Sequence, residues 1–410
     1  MARDKLLTSL DIGSEKIALY IGAVSQDHSV RILGYGEAPA KGVEKGQIVD
    51  LNEAGGAIRE ALIRAEESAG CEVYSVTTNV ASDRVEGSTC CGLVILAPRE
   101  REITAQDIRR AVESAGHHSL SFRERVVANI VQGYVVDEQD GILNPLGMVG
   151  TRLGATCHVV AAPSIQMENI QRSVRWAGLE AEGHVPDALA AAHAVLTEEE
   201  KTLGVVLVEV GGASTDLIMM ARDSILFTSR LMEGSSRVHE RLAREFRTSF
   251  DEAQALARRA GCLPRAREDG EETIYVPGVS GRQGASWKGA QIREVVRSET
   301  EALLKAVRER LQASGFLDRA VSGAVVCGGF FLMAGSAETA ENELGIPVRV
   351  GLPQGIESAN SHLMSPRHAV GLGILSYTSG VDGRNLWQGT AQGRIVRWWD
   401  RTREWIQEAF

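Results

Sequence analysis

Residues 6–24 read LLTSLDIGSEKIALYIGAV: two apolar, β-rich runs separated by Asp-Ile-Gly-Ser-Glu-Lys. That is the pattern of a strand, a tight turn and a second strand. The form returns at 204–220, GVVLVEVGGASTDLIMM, where an acidic residue and two glycines again stand between apolar runs. Two such hairpins, roughly two hundred residues apart, predict a duplicated α/β unit in which each half opens with an acidic-glycine turn. Two facing lobes follow from the duplication.

The totals suit that reading. A chain of 410 residues exceeds one compact core and is expected to divide into two or more domains. Hydrophobic residues make up 44% and charged residues 24%, the balance of an ordinary folded protein. A net charge of -10 argues against nucleic acid as a partner, because phosphate-backbone binding needs clustered excess Lys and Arg. The six cysteines, at 71, 90, 91, 157, 262 and 327, form no CxxC pair and no zinc spacing with histidine, so they are expected as free thiols without metal. The start, MARDKLLTSLDIGSEK, has no leader-like apolar core, and no window offers ~20 uninterrupted apolar residues, so neither secretion nor a membrane span is expected.

Between the hairpins, apolar residues three and four apart predict helices at 52–69, at 104–115 with Thr104 as N-cap, and at 164–178 with Ser164 as cap. Residues 73–97 alternate like strands, and 130–162 form a β-rich stretch interrupted by Asn144-Pro145. We read 84–162 as an inserted subdomain, with 1–83 and 163–190 as the first lobe and 191–378 as the second. In the second lobe, helices are expected at 236–247, 251–260 and 291–313, a loop-rich stretch at 264–288, and a buried strand at Ala324–Phe331 ending in a double glycine. A Gly-rich linker at 379–393 precedes a terminal helix at 394–410.

An acidic residue and glycines at a hairpin turn suit a nucleotide's phosphate tail. Glycine lets backbone N–H groups approach the oxygens, and a carboxylate can hold magnesium through water. Asp11, Gly13, Ser14 and Lys16 fit the first turn; Glu209, Gly211, Gly212, Ser214 and Asp216 fit the second; Gly328-Gly329 could admit an adenosine. A single such turn is more often plain turn chemistry, but three in this order raise the specificity.

The terminal segment carries a separate signal. On a helical wheel, Ile395, Val396, Trp398, Trp399, Trp405, Ile406, Ala409 and Phe410 share one face. Arg394, Arg397, Asp400, Arg401, Glu404, Gln407 and Glu408 share the other. Four of the six tryptophans lie in the last 24 residues. Aromatics beside arginines suit a helix lying at headgroup depth on an anionic lipid surface, the competing reading being a helix docked on the protein's own core.

The order of these pieces resembles the actin, Hsp70 and sugar-kinase superfamily and, within it, the bacterial cell-division family FtsA. Nearly the whole chain takes part in the resemblance. It is most specific at VDEQDGILNPLGM (Val136–Met148), at AHAVLTEEEKTLGVVLVEVGG (Ala192–Gly212) and at the end, RWWDRTREWIQEAF. The resemblance implies an actin-like two-lobed α/β fold of duplicated RNase H-like units, with an inserted α+β subdomain and a C-terminal amphipathic helix. It also implies an ATP and magnesium site between the lobes, with Asp11 and Glu209 toward the metal and Gly234 in the glycine turn after the second hairpin. The implied partners are further copies in head-to-tail filaments, the C-terminal tail of FtsZ docking at roughly 234–300, the cytoplasmic membrane face at the division septum, and later division proteins.

The chain departs from the family pattern around the nucleotide. Glu209-Val210-Gly211-Gly212-Ala213-Ser214 stands where the family has Asp-x-Gly-Gly-Gly-Thr. Gln254 and Ala257 stand where a Glu and a Lys ordinarily approach ribose and base, and the following glycine turn reads Glu233-Gly234-Ser235-Ser236. Side-chain contacts to nucleotide are thinned, so catalysis is expected to be at most weak ATP turnover, with a mainly non-enzymatic adaptor role. Alternatives of the same fold are an ATPase or phosphotransferase using Asp11, Glu209 or Asp216, a pilus-type scaffold, and a divergent second copy of FtsA.

Overall fold

The computed structural model describes residues 5–25, 29–80, 82, 84–96, 100–118, 123–262 and 272–380. The linker and terminal helix expected at 379–393 and 394–410 lie outside the described residues from position 381 onward, so Ile395, Trp398, Trp399, Trp405, Ile406 and Phe410 receive no structural account. No helix among the described residues is long and apolar enough to cross a membrane.

Both hairpins form, and each opens a sheet of the same design. In the first, Val30–Pro39, Lys16–Val24, Lys5–Ile12, Ser75–Val80 and Glu180–Pro186 lie side by side, paired antiparallel, antiparallel, parallel and parallel. In the second, Ser224–Leu231, Thr215–Ala221, Val205–Val210, Ala324–Cys327 and Val348–Val350 repeat that order and those senses. The duplication is thus a property of the topology and not only of the two turns.

The helices run α1 (Leu51–Ala69), α2 (Ala105–His118), α3 (Ser164–Trp176), α4 (Asp187–Val195), α5 (Glu198–Leu203), α6 (Ser236–Phe246), α7 (Phe250–Ala260), α8 (Gly289–Ser314), α9 (Ser336–Leu344) and α10 (Ala369–Ser379). Local chemistry sets their ends. Asp50 caps α1 by accepting from the N–H groups of Asn52 and Glu53 at 2.8 and 3.0 Å, and Gly70 closes it in the left-handed conformation. Thr104 begins α2, its hydroxyl accepting from Asp107 N–H at 3.3 Å.

Strand Val205–Val210 is buried at every position, which requires cover on both faces of its sheet. One face (Val206, Val208, Val210) packs on Val238, Leu242, Leu256 and Leu303 of α6, α7 and α8. The other (Leu207, with Ile218 and Met220) packs on α4 and on Ile374 of α10. The first sheet is covered likewise, by Ile58, Leu62, Ile170 and Val174 of α1 and α3 on one side and by Leu372 and Leu375 of α10 on the other. Helices α4 and α10 therefore fill the layer between the sheets.

Strands Gln139–Ile142, Glu124–Val136, Arg152–Pro163 and Glu86–Ile95 form a separate four-stranded sheet with its own core against α2. It is an α+β unit inserted between strand Ser75–Val80 and α3 of the first lobe.

The structure corrects several expectations. Ser164 is the first residue of α3 and does not cap it; Pro163 holds the N-cap position without a side-chain hydrogen bond. Within 264–288, expected as loop, Thr273–Val276 pairs with Ala285–Lys288 as a hairpin. The strand expected through Phe331 stops at Cys327, and Gly329–Leu332 turns as a 3-10 helix. Residues 191–378 do not all belong to the second lobe. Ile356–Glu357 joins the first sheet beside Val30, and Ser9 Oγ donates to Gly371 O of α10 at 2.7 Å. Apolarity marks α10 as buried, but it carries no information about which sheet it lies on.

Candidate functional site

The two hairpin turns face one another across a cleft of about 1010 Å³, a volume that includes solvent at its mouth. Of the residues singled out in sequence, Asp11, Gly13, Ser14, Lys16, Glu209, Gly211, Gly212, Ser214 and Gly329 line it.

Both turns are closed by their own backbone. Gly13 N–H donates to Lys16 O and Gly211 N–H to Ser214 O, each at 2.9 Å. The loop at Gly234 lies beneath the second turn: Ser235 N–H donates to Gly211 O at 2.9 Å and Ser236 N–H to Gly212 O at 2.8 Å. Gly234 thus supports the turn and does not line the cleft. Gly328 does not line it either. Its φ of 97° and a hypothetical Cβ only 2.2 Å from Val210 O make glycine obligatory there, where the chain turns to bring Gly329 to the opening.

Asp216 also faces away from the cleft. In the second sheet Arg230, Asp216 and Glu209 sit opposite one another on adjacent strands, and two carboxylates in register would repel. The Arg230 guanidinium resolves this. It donates from Nε and a terminal nitrogen to Asp216 at 3.0 and 2.8 Å, pairs with Asp187, and reaches Ser82 O at 3.0 Å. Its side chain is only 3% exposed. Asp216 is therefore held in a buried ion network whose other members, Arg230 and Asp187, reach the cleft floor.

The acids that remain on the floor are electrostatically strained. Burial pushes the Asp11 carboxyl up to about 6 against the pull of Lys16, and pushes Glu209 well above the usual carboxylate range, with Asp216, Asp187 and Asp11 adding to it. Burial also lowers the Lys16 ammonium to about 8. Asn79 fixes the first turn, accepting from Ile12 N–H at 2.8 Å and donating to Ile12 O at 3.2 Å. Asp187 Oδ1, buried at the same floor, has no hydrogen-bond partner among the described residues. Buried carboxylates that are costly to ionise, beside backbone turns able to receive anionic oxygens, suit a cation bridged through water to phosphate. No group of three direct metal ligands occurs among the described residues.

Behind the first turn, Lys16 Nζ lies 3.3 Å from His368 Nδ1, which is 2.8 Å from Tyr20 OH, and Arg367 donates to Glu37 Oε1 at 2.7 Å. Burial, then Lys16 and Arg367, depress the His368 imidazole to about 3, which keeps it neutral beside the lysine. Sequence reasoning missed Glu15, Asn79, Asp187, Arg230, His239 and Arg367 at this site. Arg230, a lone guanidinium in the strand SILFTSRL, was the one with a readable signal.

Residues 83–161 match the family described as "SHS2 domain inserted in FTSA", and 206–373 match "Cell division protein FtsA". The chain is 31% identical to cell division protein FtsA of Pseudomonas aeruginosa over 415 aligned positions, spanning 99% of this chain and 98% of that one. To FtsA of Escherichia coli K12 it is 28% identical, over 99% and 98% of the two chains. Among solved structures, a chain of the PilM–PilN type IV pilus biogenesis complex superposes with a TM-score of 0.64 at 17% identity, over 91% of this chain and 98% of that one. MreB5 of Spiroplasma citri bound to ADP superposes with a TM-score of 0.55 at 13% identity, over 93% and 99%. The fold is actin-like, with two lobes and the inserted unit, and the chain belongs to the FtsA family of cell division proteins.

Proposed function

We propose that this protein is an actin-like membrane adaptor of bacterial cell division, which polymerises head to tail and ties FtsZ filaments to the inner face of the cytoplasmic membrane. The two-faced terminal sequence, RWWDRTREWIQEAF, is the observation that carries this reading. Burying each large apolar side chain contributes roughly 1.5–3 kcal/mol, but partial immersion and helix ordering leave a single anchor marginal. Several tails on one filament act at high effective concentration, so assembly governs membrane residence.

In this reading the cleft takes ATP with magnesium as a structural switch. Asp11 and Glu209 would hold the cation through water, Gly212 and Ser214 would receive phosphate oxygens on a turn closed by Gly211, and Gly329 would border the nucleoside. The bound cation would offset the charge of the two buried carboxylates and draw the lobes together. The FtsZ tail docks within 234–300, and later division proteins join at the septum.

The test is co-sedimentation with anionic liposomes of the full chain and of a version ending at Gly393, with and without ATP. Pelleting of the full chain alone supports the anchor. Equal behaviour of both refutes it. Trp398→Glu with Trp405→Glu is expected to release the full chain to solution while leaving it folded.

A further inference from the structure

Glu15, at the tip of the first turn, crosses the cleft to several partners. Its Oε1 accepts from Ser235 Oγ at 3.0 Å and its Oε2 from Gln254 Nε2 at 3.1 Å, both groups belonging to the second lobe. His239 Nδ1 of α6 lies 3.7 Å from Oε1. The aliphatic stem fills the space that Gly212 leaves open: a Cβ built on Gly212 would meet Glu15 Cγ at 2.8 Å. The glycine of the second turn, whose bareness allows an anionic oxygen to approach, is covered by a carboxylate side chain of the opposite lobe.

From this geometry we infer that Glu15 is the residue that sets the charge selectivity of the cleft, an internal anion that stands over a phosphate position and ties the lobes through Ser235 and Gln254. The inference rests on the reading of the cleft as a phosphate site. A nucleoside polyphosphate and the Glu15 carboxylate compete for the surface of Gly212 and for the donors on Ser235 and Gln254. They also carry like charge and repel one another across a few ångströms. Binding therefore requires Glu15 to leave, and the hydrogen bonds it gives up are subtracted from the affinity of the incoming phosphate.

The experiment compares the full chain with Glu15→Ser and with Glu15→Gln, which keeps the volume and removes the charge. Affinity for MgATP and MgADP is measured by titration calorimetry, and amide exchange of 211–214 and 234–239 is followed without nucleotide. Glu15→Ser is expected to bind MgATP at least tenfold tighter, Glu15→Gln to fall between it and the parent, and exchange at both segments to rise in Glu15→Ser. Equal affinity in all three proteins overturns the proposal, as does binding in none of them. In the latter case the phosphate reading of the cleft fails with it, while liposome co-sedimentation still judges the membrane anchor separately.

Discussion

Asp11 provides a test of how function and stability oppose each other in this cleft. Burial raises its carboxyl from the ordinary 3.8 to about 6, so the native state holds that proton more tightly than the unfolded chain does. Stability contributed by the protonated form is then lost as pH rises from about 4 to about 6, and the full penalty, roughly 3 kcal/mol, stands at neutral pH. Asp11→Asn keeps the shape and removes the charge. Part of the gain is given back, because Asp11 is the main group favouring the charged form of Lys16. A net stabilisation of about 1–2 kcal/mol at pH 7.5 is expected, roughly halved at pH 5, where about half of the penalty has developed. Thermal and urea unfolding of both proteins at the two pH values measure it. MgATP at a hundred times its dissociation constant should stabilise the parent by about 2.7 kcal/mol and leave the variant unmoved. A variant less stable than the parent at pH 7.5, or a difference independent of pH, would refute the reasoning.

Two further substitutions test the architecture around the cleft. Arg230→Met leaves Asp187 and Asp216 buried and facing each other without their shared cation, and should cost about 3–5 kcal/mol; a loss below about 1 kcal/mol in urea unfolding would mean that water reaches the network. Gly373→Ala should destabilise by about 1–3 kcal/mol despite the better helix propensity of alanine, because the new Cβ would lie 1.8 Å from the backbone oxygen of Ala190 where α4 and α10 cross; a raised melting temperature would contradict that crossing.

Relatively little of the site was legible one residue at a time, whereas the fold was. The two acidic-glycine turns, their flanking strands and most helices are written in short-range patterns: alternation, three-and-four spacing and a cap such as Thr104. These reflect hydrogen bonding and burial within a few residues, which a linear reading captures.

Tertiary structure alone decided which acid does what. Asp11, Glu209 and Asp216 look equivalent in the sequence, yet Asp216 is turned onto Arg230 because the strand Ser224–Leu231 pairs with it in one register. Glu15 reads as an ordinary turn residue until the second lobe places Ser235 and Gln254 at its carboxylate, from 220 and 239 positions away. Residues 369–379 read as part of the second lobe, with no helix expected there, until α10 is seen packed on both sheets. In each case the deciding quantity is an electrostatic or packing contact between segments distant in sequence. Neither composition nor periodicity encodes such a contact, because it arises only when loop closure brings the segments together.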